Sequence, residues 1–256
     1  MIPYFEDMVE EAKEAGLTAI CMTEHFNTLR FFDMYDYLDS HYSYVNHHYD
    51  VRGLKIFTGM EVDVKEVGHI LILAHREASV KRRTALIPFE QNPDFIPYKE
   101  WRNLADKRNT LRIGGHPLRE STPLTQHDPE QLKRLDALDL NGRDLFSQGQ
   151  HPYIERLEAF AGELGLPIVG GSDTHQYLQY GIIVNESEQD CETVDELKQM
   201  IKARNYEIHI SDDLDIKVKA ARIVKKLIKS SLDEEGYATI YENVALQSES
   251  LELYGC

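Results

Sequence analysis

Five short apolar runs in this chain each stop on a residue that can bind a metal or move a proton. "TAICMT" runs into Glu24 and His25, "KIFTGM" into Glu61, and "RIGG" into His116. "ALDL" ends on Asn141, and "IVGGS" ends on Asp173 with His175 two residues later. Imidazoles and carboxylates are the side chains that hold zinc, manganese or iron. Scattered over 150 positions, they act together only if the chain places all these run ends on one face.

The elements that would do so are strands alternating with helices. Residues 4 to 15 predict a helix, with Phe5, Met8, Val9 and Ala12 at helical spacing, Pro3 at its entry and Gly16 at its end. A strand "TAICMT" follows, then a long helix over about 30 to 49 with Tyr35, Leu38, Tyr42, Val45 and Tyr49 as its apolar seam. Strands "LKIFTGME" and "HILILA" precede a helix over 97 to 109. The second half reads as strand "LRIGGHP", a helix opened by Asp128 and Pro129, strand "ALDLNG", and a helix over 152 to 164. "PIVGGSD" and "GIIVN" are further strands, and Thr193 with Glu196 forms a capping box for a helix over 193 to 203. "YEIHI" is a last edge strand. A basic amphipathic helix over 214 to 229 turns Ile216, Ala220, Ile223 and Leu227 to one side.

This alternation predicts an α/β fold, a parallel sheet closed or nearly closed into a barrel with helices outside. In such barrels the carboxyl ends of the strands converge on one face, where active sites are built. One further ligand follows from chain length. Only seven residues, 62 to 68, separate Glu61 from His69, whereas a parallel crossover needs about a dozen. The chain therefore turns straight back, and His69 opens a returning strand beside Glu61. His75, at that strand's far end, points to the opposite rim. An irregular crossover would exchange the two roles.

In order along the chain, "MTEHFN", "GMEVDV", "GHILIL", "IGGHPLR", "DLNGRD" and "GGSDTHQYLQYG" resemble the motifs of the PHP (polymerase and histidinol phosphatase) domain family, from about Tyr4 to Tyr206. The resemblance implies a distorted (β/α)7 TIM-like barrel over 1–210, carrying two or three divalent metal ions, zinc, manganese or iron. Residues 211–256 would be a C-terminal helical extension packed on it. His25, Glu61, His69, His116, Asp173 and His175 resemble the family's ligands, with Glu61 bridging two metals. Glu61, His116 and Asp173 are the expected catalytic residues. Arg119 and Arg143 sit where a guanidinium could clamp a phosphate. Glu24 departs from the family's commoner aspartate and is expected to support a ligand from behind. The family's first strand, with its H-x-H pair, has no counterpart: the chain opens on a helix. Either the sequence starts downstream of that strand, or this member lacks it.

The expected activity is hydrolysis of a small phosphorylated metabolite by metal-activated water. The rivals are a metal-poor PHP scaffold serving as a binding module, a PHP-type nuclease and a protein tyrosine phosphatase. Composition narrows the field. With 42% apolar residues in 256, a sizeable core is available. A net charge of −16 without a basic arm disfavours a non-specific nucleic-acid binder. No run is apolar enough for a membrane span. The three cysteines, Cys21, Cys191 and Cys256, are scattered and fit a reduced, cytoplasmic compartment. His41, His47, His48, His127, His151 and His209 read as surface or helix-entry residues, and the basic stretch 217 to 229 as a solvated helix face.

Overall fold

The structure, a computed structural model, describes residues 2–91, 93–105, 109–175 and 177–234. The chain opens with helix α1 (Ile2–Glu14) and strand β1 (Ala19–Met22), followed by α2 (Phe31–His41), β2 (Ser43–Val45) and β3 (His48–Val51). The long β4 (Leu54–Asp63), then β5 (His69–Ala74), α3 (Arg76–Ala85), α4 (Tyr98–Ala105) and β6 (Thr110–Gly115) complete the first half. The second half holds α5 (Pro129–Leu132), β7 (Ala137–Asn141), α6 (Gly142–Gln148), α7 (Gln150–Leu164) and β8 (Ile168–Gly171). It ends with β9 (Ile183–Glu186), α8 (Val194–Ala203), β10 (Glu207–Ile210) and α9 (Leu214–Glu234).

Eight strands form one mixed sheet, and β9 pairs with β10 in a separate antiparallel ladder. β1 runs parallel to β4, and β6, β7 and β8 run parallel in succession. β5 lies antiparallel between β4 and β6, so β4 and β6 point the same way. The returning strand expected from the short Glu61–His69 link is therefore present. Five strands bring their carboxyl ends to one rim, together with the amino end of β5. Among the described residues the ladder runs from β1 to β8 with no rung between those two.

Alternation along β4 shows how the sheet's faces divide. Leu54 and Ile56, then Met60 and Val62, enter the two clusters packed under the helices. Phe57 points to the other face, in a cluster with Leu73, Leu111, Ala137, Val169 and, from α8 and its approach, Cys191, Val194, Met200 and Ile201. Glu61 and Asp63 follow Phe57 at period two on that same face. So apolar side chains fill one end of this face, and the ligand-type residues occupy the other.

Three expectations change. Residues 30 to 49 are not one helix: α2 stops at His41, and β2 and β3 form a hairpin across Asn46 and His47. Asn46 takes a left-handed conformation (φ 53°), which asparagine tolerates in such a turn. The β-branched and aromatic run around it prefers a pleated, half-buried surface to a helix. The sheet is mixed rather than parallel, because β3 of this hairpin and β5 both run against β4. Helix 152 to 164 begins two residues earlier, at Gln150, behind a separate α6.

The last helix also turns its expected face outward. Leu214, Val218 and Ala221 are buried, and Leu214 and Val218 join the main core, while Ile216, Ile223 and Leu227 are exposed. Both stripes satisfy helical periodicity, and packing against α6 and residues 177–179 decides between them. The expected extension over 211–256 lies outside the described residues beyond Glu234. Leu214→Ala is expected to cost about 2–5 kcal/mol in urea denaturation. Ile216→Ala, on a side chain 67% exposed, should stay within about 0.5 kcal/mol. The reverse order would contradict the placement of α9.

Candidate metal centre

Glu61 is the hub of the rim. It ends a run that hydrogen-bonds along two strands, and its backbone is tied to the segment after β1. Glu61 N donates to Glu24 O (2.9 Å), and Phe26 N donates to Glu61 O (2.8 Å). This short continuation of the parallel ladder sets His25 beside Glu61. Glu24 therefore contributes its carbonyl. Its carboxylate accepts from Thr28 Oγ1 at 2.7 Å instead of supporting a ligand.

Glu61 is 8% exposed, and its carboxylate meets three imidazoles. His25 Nε2 lies 3.3 Å from Oε2; His69 Nδ1 (2.7 Å) and His116 Nε2 (3.2 Å) share Oε1. His69 Nδ1 and His116 Nε2 are 3.0 Å apart. Among the described residues, His25, Glu61 and His69 offer ligand atoms that all lie within 4.8 Å of one another.

Asp63 stands behind the histidines, and the sequence reading passed over it. Its Oδ1 is 2.8 Å from His69 Nε2 and its Oδ2 is 3.6 Å from His25 Nδ1. Each imidazole thus turns one nitrogen to Asp63 and the other to Glu61. His116 does likewise, with Nδ1 3.3 Å from Thr122 Oγ1. A carboxylate behind a histidine fixes its tautomer and directs the free lone pair inward, the usual outer support of a metal ligand. The signal was present in "GMEVDV": Glu61 and Asp63 are two residues apart on a strand and so share a face.

A second group adjoins the first. His116 N donates to Asp139 Oδ2 (3.1 Å), and Asn141 Nδ2 donates to the same oxygen (3.0 Å). Gly171 has no side chain because the Asp139 carboxylate fills that space: an added Cβ would sit 2.2 Å from Oδ1. Asn141 caps α6 through Oδ1, which also accepts from Arg119 Nη2 at 3.0 Å. Arg119 further pairs with Asp144 (2.9 Å) and Asp173 (2.7 Å). It is 12% exposed at its side chain and already holds two carboxylates, so it ties Asp173 to α6 and is not an open clamp. Arg143 is exposed. Asp139 and Asp144 were also passed over, though Asp139 and Asn141 repeat the period-two signal.

Asp173 and His175 stand outside the His25–Glu61–His69 set. His175 Nδ1 rests 3.0 Å from Asp173 O, and its ring is partly exposed. His116 and Asp173 have positive φ, 30° and 51°. Neither is glycine, so both sit in a region that costs free energy and that clusters at functional sites. Of the other histidines, His48 and His127 are buried and structural, correcting their reading as surface or entry residues. His48 Nδ1 lies 3.1 Å from Glu192 O, and His127 Nε2 lies 2.6 Å from Val67 O. His47 lies in the hairpin turn, where its Nδ1 accepts from Val194 N.

The charges are strongly coupled. Burial works against ionising Glu61, yet hydrogen bonds from His116 and His69 and the nearby imidazole charges outweigh it and hold the carboxyl well below its usual range. Asp63 is held down in the same way, against burial, by His25 and His69. Burial pulls His69 down, but Asp63 and Glu61 win and push it up to about 9. The centre therefore holds positive charge against two carboxylates, a place a divalent cation can take over. Asp139 moves the other way: burial pushes it up to about 6 despite bonds from Asn141 and His116.

Residues 4–118, a little under half of the chain, match the PHP domain family model. The match includes His25, Glu61, His69 and His116; Asp173 and His175 lie beyond it. The crystal structure of PsfC from Pseudomonas syringae PB-5123 is similar with a TM-score of 0.70 at 19% identity, covering 88% of this chain and 90% of that one. Endonuclease Q, in complex with a 27-mer duplex bearing an abasic lesion, gives 0.57 at 19% identity, covering 77% of this chain and 51% of that one. The lesion-specific endonuclease PfuEndoQ from Pyrococcus furiosus gives 0.56 at 17% identity, covering 78% and 52%. The chain thus spans about half the length of the two endonucleases, and these likenesses are of fold. No curated protein matches the chain. Among the described residues no helix is long and apolar enough to cross a membrane.

Two outcomes test this geometry. A histidine raised from 6.5 to about 9 on folding stabilises the fold fully below pH 6.5 and loses that contribution as pH rises through 9. At about 1.4 kcal/mol per pKa unit the loss is on the order of 3 kcal/mol. Chelator-treated protein should therefore melt at progressively lower temperature between pH 6.5 and 9, and Asp63→Asn should flatten that slope. A wild-type profile flat over that interval would contradict the coupling. Separately, Arg119→Ala leaves Asp144 and Asp173 without their cation and should cost about 3–5 kcal/mol in urea denaturation. Arg119→Lys, which cannot fork between two carboxylates, should recover only part of it.

Proposed function

We propose that this chain is a metal-dependent phosphoesterase that hydrolyses a small phosphorylated metabolite. The observation that carries the reading is a single buried carboxylate, Glu61, faced by His25, His69 and His116, at the carboxyl rim of a sheet in a PHP domain. The donor set fits a borderline divalent ion such as zinc, manganese or iron: imidazoles that would give up their inner protons to bind it, and a carboxylate with two oxygens to share. His25, Glu61, His69 and His116 would hold it, with Asp173 and His175 completing a centre of two or three ions. The mixed sheet is read as the wall of a distorted (β/α)7 barrel.

When bound, divalent ions at this position supply Lewis-acid polarisation of a phosphoryl oxygen and acidify a water. The chain's own residues do the rest. Asp63 keeps protons on the outer nitrogens of His69 and His25, so that their inner nitrogens stay available as donors of a lone pair. Asp139 fixes the backbone of His116 through its N–H, holding the strained turn that aims the ring at Glu61. Arg119 neutralises Asp144 and presents Asp173 at the edge of the same rim. Arg143, which is exposed and lines a cavity with Asp173 and His175, would meet the phosphate there.

The purified protein should contain stoichiometric transition metal and hydrolyse p-nitrophenyl phosphate with added manganese or zinc. Glu61→Ala and Asp173→Ala should each lower kcat/KM by about 100-fold or more, since they remove charge from the reacting centre. Circular dichroism should show both variants folded. If both keep full activity, the site is wrong.

A further inference from the structure

Beside the centre lies a cavity of about 450 Å³ whose walls come from two places. On one side are Asp173 and His175 after β8, with Arg143 from the start of α6; on the other is α9, with Arg222, Lys225 and Lys226. Arg143, Arg222, Lys225 and Lys226 all line this one cavity, in a chain whose net charge is −16. Among the described residues of the lining, Asp173 is the one carboxylate, and it is paired with Arg119 at 2.7 Å.

This concentration is built by the packing of α9. Val218 and Ala221 are buried and line the cavity, and the residues one turn onward, Arg222, Lys225 and Lys226, line it with them. Arg222 is further placed by its guanidinium, 5.6 Å over the ring of Phe146 on α6. A helix read from sequence as a solvated basic face is therefore one wall of a pocket. Like charges gathered in a concave site raise the local potential and favour an anion there. Arg222 offers a planar fork that matches the oxygens of a phosphate distinct from the one Arg143 would meet.

We propose that this cavity is a second anion subsite, which takes a second phosphate group on the small molecule whose other phosphate ester is cleaved at the metal centre. The substrate class is accordingly a bisphosphorylated metabolite. This inference rests on the phosphoesterase reading. An open concave site of about 450 Å³ has room for a phosphorylated small molecule, whereas a polymer's backbone needs a continuous cationic track.

The test compares glucose 1-phosphate with glucose 1,6-bisphosphate, by hydrolysis and by calorimetric binding to the metal-loaded protein. Wild type should favour the bisphosphate by about tenfold or more in kcat/KM and in affinity, and the preference should shrink as salt is added. Arg222→Ala combined with Lys226→Ala should bring the ratio of the two substrates close to one. The distant surface change Lys133→Ala should leave that ratio intact. Hydrolysis of both sugars with equal efficiency, unmoved by the double variant, would overturn the subsite while the phosphoesterase stands. Absence of hydrolysis would sink the phosphoesterase reading; a binding preference that the double variant abolishes would then still support the subsite. Binding of a single-stranded oligonucleotide that depends on Arg222 and Lys226, without preference for the bisphosphate, would overturn it in favour of a nucleic-acid surface.

Discussion

The Glu61 carboxylate, withdrawn from water, is the constraint around which the rim is arranged. A buried carboxylate is tolerated only when opposite charge and hydrogen bonds replace its lost hydration. Here three imidazoles do so, and each is itself oriented from behind, two by Asp63 and one by Thr122. Remove the strand pairing and the arrangement has no support: β1 delivers His25 by continuing its ladder with β4, and β5 delivers His69 by turning straight back. His116 arrives on the strand beyond. One side chain at the end of β4 thus makes the register of its neighbours matter.

The same face of the sheet does two jobs separated along its strands. At one end Phe57, Leu73, Leu111 and Val169 are covered by α8 and the segment before it, giving dry packing. At the other end the residues two and four positions further along β4 are Gly59 and Glu61, and apolar packing gives way to charge. Rigidity at the first end lets the second hold strained backbone at His116 and Asp173. Arg119 then joins the turn after β6 to α6 and to the turn after β8, so the two acidic groups form one connected network.

Much of this was legible from residue order. The helix at the start, the strands that carry Glu61, Asn141 and Gly171, the capping box at Thr193, the Gly165 stop and the turn back to His69 all follow from local rules. Local rules also contained Asp63 and Asp139, two residues from Glu61 and Asn141, but attention to strand ends alone passed over residues just inside or beyond them. Residues 42 to 49 misled because tyrosines and valine suit a helix seam and a hairpin alike, and Asn46 was the single mark of the turn. Arg119 misled because an arginine after a histidine turn looks like a free clamp until its two carboxylate partners, 25 and 54 residues away, are in place.

By itself, the sequence determined which residue types stand at each strand end, and hence the chemistry available: imidazole, carboxylate and guanidinium in a pattern that resembles one family. Period and turn chemistry are local, so a linear text carries them. Only the tertiary structure decided which of those groups meet. It chose the buried stripe of α9, turned its lysines and arginine over a cavity beside Asp173, and paired Arg119 away from solvent. The physical reason is that both faces of α9 have helical periodicity and every arginine can find several partners. The choice among them is made by the surface each element packs against, which is assembled from residues far apart in the chain.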